Sequence, residues 1–122
     1  MPMAKVFLTG VEESVAKSLR RVLAIENHQI EDRSSASPID DFLDADIVFA
    51  GGGAKRYLPL LLGIRQARPA LAFVVVTRIP ETSEWLDALE AGATDYCAAP
   101  IESCRIKWVM ESALRRARSI AA

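Results

Sequence analysis

The clearest chemical potential in this chain lies in a glycine-rich segment that carries two cations. An apolar run that follows Asp46 ends in this segment, Gly51-Gly52-Gly53-Ala54-Lys55-Arg56. Successive backbone N–H groups in such a loop, beside Lys55 and Arg56, can bind phosphate, a nucleotide or another anion. A Walker loop is excluded because no Gly-Lys-Ser/Thr sequence follows at the required spacing. The alternative interpretation is a flexible loop without a ligand.

Other reactive side chains are few, and none stands in the spacing of a known active site. His28, the sole histidine, follows Asn27 in a predicted turn, where a solvated turn residue is favoured over a catalytic base. Cys97 and Cys104 match no metal-ligand spacing and are interpreted as a buried strand residue and a helix residue. We therefore expect no enzymatic activity and no metal site.

Size and composition indicate one globular domain spanning residues 1–122. Hydrophobic residues make up 51% of the 122 residues and charged residues 25%, so one core can form without metal or disulfide cross-links. A formal net charge of -1 gives no reason to expect nucleic acid or an anionic membrane as a partner. No apolar run is long enough to cross a bilayer and no signal peptide is recognisable, so a cytoplasmic location is expected.

Apolar patterning predicts five strands that alternate with five helices. Runs that are apolar throughout are typical of strands buried on both faces, whereas apolar positions three or four residues apart are typical of helices with one buried side. The predicted strands cover residues 6–9, 29–32, 47–50, 71–77 and 94–99. The predicted helices cover residues 13 or 14 to 25, 38–44, 57–68 with Pro59 in the first turn, 83 to a stop at Gly92, and a last helix whose inward stripe includes Ile106, Met110 and Leu114. Such alternation needs crossover connections, and therefore a parallel sheet with helices on both faces.

The segment between the fourth helix and the fifth strand resembles the same segment of response-regulator receiver domains. Residues 88–96 read Ala-Leu-Glu-Ala-Gly-Ala-Thr-Asp-Tyr and are followed by Pro100. Residues 13–23, 46–49 and 73–77 are similar to the first helix, third strand and fourth strand of that family. The resemblance covers nearly the whole chain. It implies an α/β, flavodoxin-like (CheY-like) three-layer sandwich with a five-stranded parallel sheet in the order 2-1-3-4-5, and a site at the carboxyl ends of the strands.

The resemblance also implies a phosphorelay site, most of whose positions are changed here. Receivers have an aspartate after strand three as the phosphoacceptor, two acids after strand one that hold Mg²⁺, and a lysine before the proline of strand five. In this chain the acceptor position is Gly51, or Phe49 if the alignment has no gap. The lysine position is Ala99. The acidic-pair positions, depending on the alignment, fall among Thr9, Gly10 and Val11.

Carboxylates are absent from the stretch that would have to supply the acceptor. No acidic residue occurs between Asp46 and Glu81. Glu12 or Glu13, at the start of the first helix, can lean back toward the site, but a lone carboxylate without an acceptor makes a poor Mg²⁺ site. The resemblance therefore implies a degenerate receiver, or pseudo-receiver, without a cofactor and without aspartyl phosphorylation.

Two receiver positions are retained in this chain. Thr77 ends strand four, where receivers have a Thr or Ser that donates to the phosphoryl group, and Tyr96 stands at the family's aromatic switch position. Two interpretations stay open. Either these residues preserve a coupled two-state movement, or they are remnants of the fold without a switching role.

Three aromatic residues, Trp85, Tyr96 and Trp108, form the candidate partner surface. Trp108 lies about 200° around the last helix from Ile106, so it points away from the sheet, and exposed aromatic residues often anchor interfaces. In receivers the face of the fourth helix, fifth strand and fifth helix is the usual site of dimerisation and output contact. Trp85 has the alternative of being a residue at the edge of the core.

The expected function is signalling by protein–protein interaction in a two-component or phosphorelay system. Expected partners are a histidine kinase, another receiver or a flanking output domain. A homodimer that forms through the face described above is also expected as a possibility of this kind. The alternative function is an anion or nucleotide sensor that uses the vacated site and the Gly51–Arg56 loop. The basic residues 115–119 either begin a linker to a further domain or form a solvated helix end.

Overall fold

Five parallel strands form one sheet with helices on both faces. The computed structural model describes residues 4–34, 36–79, 81–99 and 103–121. The strands, in the spatial order β2-β1-β3-β4-β5, are β1 Lys5–Thr9, β2 Gln29–Asp32, β3 Ile47–Ala50, β4 Ala72–Thr77 and β5 Asp95–Ala98. The helices in these residues are α1 Glu13–Ile25, α2 Ala54–Ala67, α3 Thr82–Glu90 and α4 Ser103–Ala121. The predicted flavodoxin-like architecture and strand order are therefore confirmed.

The core consists of two apolar layers, one on each face of the sheet. One layer joins α1 and α4 to the sheet, and the other joins α2 and α3 to it. All four residues of β3 are buried, and they alternate between the layers: Ile47 and Phe49 face α1 and α4, while Val48 and Ala50 face α2 and α3. This explains why the central strands are apolar throughout instead of alternating with polar residues.

The predicted helix at residues 38–44 is wrong, because only a 3₁₀ turn forms there, at Ile39–Phe42. Phe42 is fully buried, and its ring packs edge-on against a phenylalanine of β1 at 6.2 Å between centroids. Ile39 fills the space beside Gly63, where an added Cβ would lie 2.6 Å from Ile39 Cδ1. Two such apolar anchors in a short segment rich in aspartate favour a packed turn over two turns of α-helix.

α2 begins at Ala54 rather than at residue 57, so the prediction that Pro59 lies in its first turn is wrong. Gly53 has a φ of 86° and turns the chain into the helix. Its carbonyl accepts hydrogen bonds from the N–H groups of Arg56 and Tyr57, at 3.0 and 3.2 Å. Pro59 has no N–H to donate, and the helix continues past it with one hydrogen bond fewer.

His28 is buried, which corrects the expectation of a solvated turn residue. It is 7% exposed, and its Nδ1 accepts a hydrogen bond from the backbone N–H of Ala4 at 3.0 Å. Burial lowers the pKa of His28, and the neutral ring is the form that this hydrogen bond requires. The expectation failed because Asn27, with a φ of 61°, turns the chain back onto the end of the sheet.

α4 packs on the sheet through the predicted stripe and one further residue. Ile106, Met110 and Leu114 are buried, and so is Val109, which the predicted stripe omitted. Cys97 is buried in β5, as predicted. Predictions that rest on Pro100, or on the side chains at 104 and 116–119, lie outside what the structure describes. No helix in the described ranges is long and apolar enough to span a membrane.

Two arginines fasten the loops at the amino ends of the strands. Arg65 on α2 donates to the carbonyls of Leu71 and Gly92 at 2.6 and 2.8 Å. Arg68 donates to two carbonyls of the loop before β3, at 2.7 and 2.6 Å. Charged donors make strong hydrogen bonds, and these satisfy loop carbonyls beside β3, β4 and β5. The amino end of the sheet is thereby held by side chains that reach from α2.

Candidate functional site

The loops that follow β1, β3 and β4 meet at the carboxyl end of the sheet and enclose a cleft. The cleft has a volume of about 240 Å³. It is lined by residues of these loops and of the elements that they join: Gly10, Glu12, Val15, Gly52, Gly53, Val76, Thr77, Arg78 and Ile79. Parallel α/β sheets place ligands and chemistry at this edge. The cleft is therefore the candidate functional site.

Gly51, the residue directly after β3, is buried and closely surrounded by backbone. Its N–H donates to the carbonyl of Thr9 at 3.0 Å. A Cβ at this position would lie 3.1 Å from the Val76 carbonyl oxygen and 3.2 Å from the Gly10 carbonyl oxygen. Contacts this short are tight, so a side chain here requires the neighbouring backbone to shift by a few tenths of an ångström. As a glycine, the residue brings no carboxylate to the end of β3.

The predicted acidic-pair positions Gly10 and Val11 are also closely surrounded by other residues. Gly10 has a φ of 64°, a conformation that favours glycine. A Cβ on Gly10 would lie 2.8 Å from the Gly51 carbonyl oxygen, and Val11 packs against the core layer of α1 and α4. The two loops thus meet backbone to backbone. Among the described residues, no group of three or more His, Cys, Asp or Glu is placed to hold a metal ion.

An ion pair spans the cleft. Arg78 Nη1 lies 3.2 Å from Glu12 Oε1, and the Ser14 hydroxyl donates to the same Glu12 oxygen at 3.3 Å. The two charged side chains are 60% and 50% exposed, so solvent screens their attraction. Glu12 therefore lies at the site, as predicted for one of the two glutamates, but it is paired with Arg78. Glu13 is instead paired with Arg20 on α1, at 3.4 Å.

Arg78 was not among the predicted site residues. Its sequence signal was its place directly after Thr77, at the carboxyl end of β4 and hence at the same edge as Glu12. That signal shows which edge a residue occupies. It does not show which charge the side chain reaches, because the loops after β1 and β4 are separated by β3 in the sheet.

The hydroxyl of Thr77 is engaged within its own loop. It donates to the carbonyl of Ile79 at 3.2 Å, and it accepts from the Ile79 N–H at 3.3 Å. Ala99 continues the pairing of β4 with β5, because its N–H donates to the Thr77 carbonyl at 2.7 Å. Ala99 packs against the layer of α1 and α4 and brings no charge to the site.

Tyr96 lies on β5 with its ring buried and 8% of the residue exposed. Its hydroxyl has no hydrogen-bond partner within the described part of the chain. Burial raises the pKa of Tyr96, partly offset by the nearby Glu81 backbone and Thr77 hydroxyl, which approach it without hydrogen-bond geometry. Tyr57 on α2 is also buried and donates to Glu84 Oε1 at 3.4 Å. Burial raises the pKa of Tyr57 as well, so both phenols are protonated at neutral pH.

The predicted anion loop is only partly at the cleft. Gly52 and Gly53 line it, with φ values of 85° and 86°. Lys55 is exposed and lies outside the lining residues. The Arg56 side chain folds back over Gly52, since a Cβ there would lie 2.9 Å from Arg56 Cδ. Binding of an anion by this loop stays a prediction.

The aromatic residues of the predicted partner surface differ in exposure. Trp108 is 54% exposed, in agreement with its predicted outward direction, and the Arg105 guanidinium lies 5.1 Å from the centre of its ring. Trp85 is 42% exposed. Tyr96 is buried, so it lies beneath this surface rather than on it. α3 adds two further exposed apolar residues, Leu86 and Leu89.

Solved structures resemble this chain over nearly its full length. NtrX from Brucella abortus matches with a TM-score of 0.85 and 20% identity, over 98% of this chain and 28% of that chain. A response regulator receiver domain protein from Clostridium thermocellum matches with a TM-score of 0.82 and 18% identity, over 97% and 99%. A CheY-like receiver domain protein from Methanospirillum hungatei JF-1 has a TM-score of 0.79 and 14% identity, over 97% and 98%. The chain has the receiver fold.

The receiver fold is what these matches establish. No family model matches the chain, and no curated protein matches it. The identities are low, and this chain spans only 28% of the NtrX chain, so no activity of that longer protein follows for this one. Proteins that share a fold differ in their sites. The function has to be argued from the residues at the cleft and on the surface.

Proposed function

We propose that this chain is an atypical receiver domain of a two-component signalling protein, which acts through protein contacts and does not accept a phosphoryl group. The observation that carries the proposal is the residue at the carboxyl end of β3. Gly51 follows β3 directly and has no nucleophile, whereas the alternative acceptor position, Phe49, is fully buried within that strand. A Cβ on Gly51 would lie 3.1 and 3.2 Å from backbone oxygens, so the site is also tightly packed.

Within residues 4–34, 36–79, 81–99 and 103–121, the carboxylates near the site do not support phosphoryl transfer. Transfer to a carboxylate requires an in-line nucleophile and neutralisation of the phosphoryl charge, which a metal ion usually supplies. Glu12 lines the cleft, but it is paired with Arg78. Asp46 stands at the amino end of β3, roughly 16 Å from its carboxyl end at ordinary strand rise. The proposal therefore includes no bound Mg²⁺ and no enzymatic activity.

Incubation with a small phosphodonor and Mg²⁺ tests the proposal. We expect the intact mass to stay unchanged, while a receiver with an aspartate acceptor gains a phosphoryl group in the same mixture. A hydroxylamine-sensitive adduct on the wild-type chain contradicts the proposal. The Glu12→Gln variant is the matched control, because it removes the cleft carboxylate and keeps its shape. An adduct that this variant cannot form would identify Glu12 as the acceptor.

The surface that supports protein contact is formed by α3, β5 and α4. Trp85 and Trp108 expose large aromatic area, and such residues supply much of the binding energy at interfaces. The exposed charges of the two helices differ in sign. α3 exposes Asp87 and Glu90, whereas the described outer side of α4 exposes three cations and one acid: Arg105, Lys107, Arg115 and Glu111. Such a surface suits a protein partner, namely a histidine kinase, another receiver, a flanking output domain or a second copy. A cytoplasmic location is part of the proposal.

Photo-crosslinking in cells tests this surface. A photoreactive phenylalanine analogue in place of Trp108 is expected to give specific protein adducts. The same analogue in place of Gln66, an exposed residue on the outer side of α2, is the matched control. Adducts at Gln66 and none at Trp108 would show that contact is made elsewhere on the domain.

A second candidate function is anion or nucleotide sensing at the cleft. The observation in its favour is that Gly52, Gly53 and Arg78 all border the same space of about 240 Å³. A thermal-shift titration with phosphate and nucleotides checks it. Concentration-dependent stabilisation that is lost in an Arg78→Met variant supports sensing. No stabilisation by these ligands leaves protein contact as the function.

A further inference from the structure

The cleft at the carboxyl end of the sheet offers one charge of each sign. Among the described residues that line it, the charged ones are Glu12, directly before α1, and Arg78, directly after β4. Nη1 of Arg78 lies 3.2 Å from Oε1 of Glu12. Signalling by protein contact gives neither the cleft nor this ion pair a role. A cavity with a positive and a negative group can select a ligand by its charges.

The ion pair disfavours a simple anion as the occupant of the cleft. An anion bound by Arg78 would lie beside the Glu12 carboxylate, which repels it. A simple cation meets the opposite problem, because Arg78 repels it. A ligand with one charge of each sign replaces both halves of the ion pair at once. The two side chains are 60% and 50% exposed, so their separation costs little free energy.

The size of the cleft limits this ligand to a small molecule. The volume of about 240 Å³ lies below the roughly 300–1,000 Å³ that is typical of sites for drug-sized ligands. The two charges of the ligand must also be close together, because the groups that they meet are only 3.2 Å apart. An ammonium and a carboxylate on the same carbon atom, as in an α-amino acid, fulfil this requirement. A nucleotide is larger and has no such pair of charges.

The uncharged lining residues suit the remainder of such a molecule. Val15 and Val76 are buried and give the cleft an apolar wall, to which the exposed Ile79 adds. Gly52 and Gly53 have no side chain, so only their backbone borders the cleft. An apolar side chain on the ligand is stabilised when this wall removes part of its surface from water.

We infer that the cleft binds a small apolar α-amino acid. The carboxylate of the ligand pairs with the Arg78 guanidinium, whose planar fork suits a carboxylate. The ammonium of the ligand donates to the Glu12 carboxylate, whose Oε1 also accepts from the Ser14 hydroxyl at 3.3 Å. The inference goes beyond the proposed function, because signalling by protein contact requires no ligand in the cleft. It also differs from anion or nucleotide sensing in the class of the ligand.

NMR titration of the isotope-labelled chain with valine tests the site. We expect saturable shifts of the amide signals of Gly52, Gly53 and Val76, which border the cleft. Two analogues of valine each keep one of its charges, since isovalerate lacks the ammonium and isobutylamine lacks the carboxylate. Each analogue is expected to bind about two- to five-fold more weakly than valine, the range that one exposed ion pair supports. Inorganic phosphate is expected to bind more weakly as well.

Variants of the ion pair test the same site from the side of the protein. Glu12→Gln should remove the preference for valine over isovalerate, because the partner of the ammonium is lost. Arg78→Gln should remove the preference for valine over isobutylamine, because the partner of the carboxylate is lost. The matched control is Arg20→Gln, which breaks the ion pair between Arg20 and Asp32 at 2.7 Å on another part of the surface. It should leave valine binding unchanged.

Several results overturn the inference. One is the absence of saturable shifts with valine, and another is an analogue or phosphate that binds as tightly as valine. Weakening of valine binding by the Arg20 control as large as that caused by the two cleft variants also contradicts it. The phosphodonor and photo-crosslinking assays measure mass and protein contact, so a failure of amino-acid binding is distinguishable from a failure of the proposed function.

Discussion

At the amino end of the sheet, arginine side chains reach into the loops and bind backbone carbonyls. At the carboxyl end, by contrast, the backbones of two loops are in contact, and two charged side chains face each other across an open cleft. Arg65 and Arg68 make short bonds to loop carbonyls at the amino end. The backbone N–H of Lys5 donates a hydrogen bond to the Asp46 carboxylate at 2.7 Å. At the carboxyl end, Gly51 lies against the loop after β1.

The two ends of the sheet differ in how much a substitution is expected to change the stability of the fold. The amino-end arginines are partly buried, so removal of either one leaves loop carbonyls without a partner, which is costly. The Arg78–Glu12 pair is exposed, so water replaces each partner at little cost. The carboxyl end can therefore change its charges without loss of the fold, which suits an edge that carries function.

The largest effect is expected at the amino end. Arg65→Met should lower the free energy of unfolding by about 2–3 kcal/mol, because the carbonyls of Leu71 and Gly92 lose a charged donor. Urea denaturation measures this change. Lys55→Met is the control at the carboxyl end, where an exposed side chain should contribute within about 0.5 kcal/mol. Equal effects of the two variants would remove the contrast between the ends.

The next largest effect is expected from crowding at Gly51. Gly51→Ala should destabilise the chain by about 1–3 kcal/mol, because the new Cβ meets two backbone oxygens. Gly53→Ala is the contrasting variant, because it adds strain at a φ of 86° with no atom within 4 Å. NMR shifts at Val76 and Gly10 should therefore change in the first variant and not in the second. Unperturbed shifts in both would show that the site is roomier than its contacts indicate.

A smaller effect, dependent on pH, is expected at His28. Burial lowers its pKa from the ordinary value of 6.5, so the folded state binds the proton less readily than the unfolded state. Its stabilising contribution is complete above pH 6.5 and is lost as the pH falls toward the lowered pKa. We expect stability to fall over this range, because the protonated ring cannot accept the hydrogen bond from the Ala4 N–H. His28→Gln should flatten this part of the pH profile in urea titrations, and a profile identical to wild type would count against it.

The smallest effect on stability is expected at Trp108. Trp108→Ser should change the free energy of unfolding by about 0.5 kcal/mol or less, since the ring is 54% exposed and the Arg105 guanidinium lies over it. Urea denaturation beside wild type is the measurement. A loss above about 1 kcal/mol would mean that this face supports the fold and is not free for a partner.

The fold was readable from the sequence because its signals are local. β3 and β4 are apolar throughout, and α1 has a regular apolar stripe, so a parallel sheet with helices on both faces followed from the pattern. The strand order followed from the resemblance to receiver domains. The wrong prediction at residues 38–44 has a non-local cause, because Phe42 is drawn into a core that the segment itself does not show. The wrong prediction for His28 also has a non-local cause, because its hydrogen-bond partner Ala4 is 24 residues away along the chain.

The sequence indicated the residue types at the site but not the distances between those residues. The absence of acids between Asp46 and Glu81 placed Gly51 at a position without a nucleophile. The short contacts of Gly51, and the pairing of Glu12 with Arg78, depend on how closely three loops approach one another. Loop approach is set by packing across the whole sheet, and no spacing along the chain encodes it.

Gly51 also bears on how such a chain changes over generations. Substitution of its middle base converts a glycine codon to one for aspartate or glutamate, depending on the third base, so mutation supplies an acidic side chain readily. The carbonyl oxygens of Val76 and Gly10 would lie 3.1 and 3.2 Å from its Cβ, so the surrounding backbone has to shift slightly to admit it. Under the proposed function, this one substitution does not restore phosphoryl chemistry. Ala99 and the positions Gly10 and Val11 also lack the side chains that receivers use there.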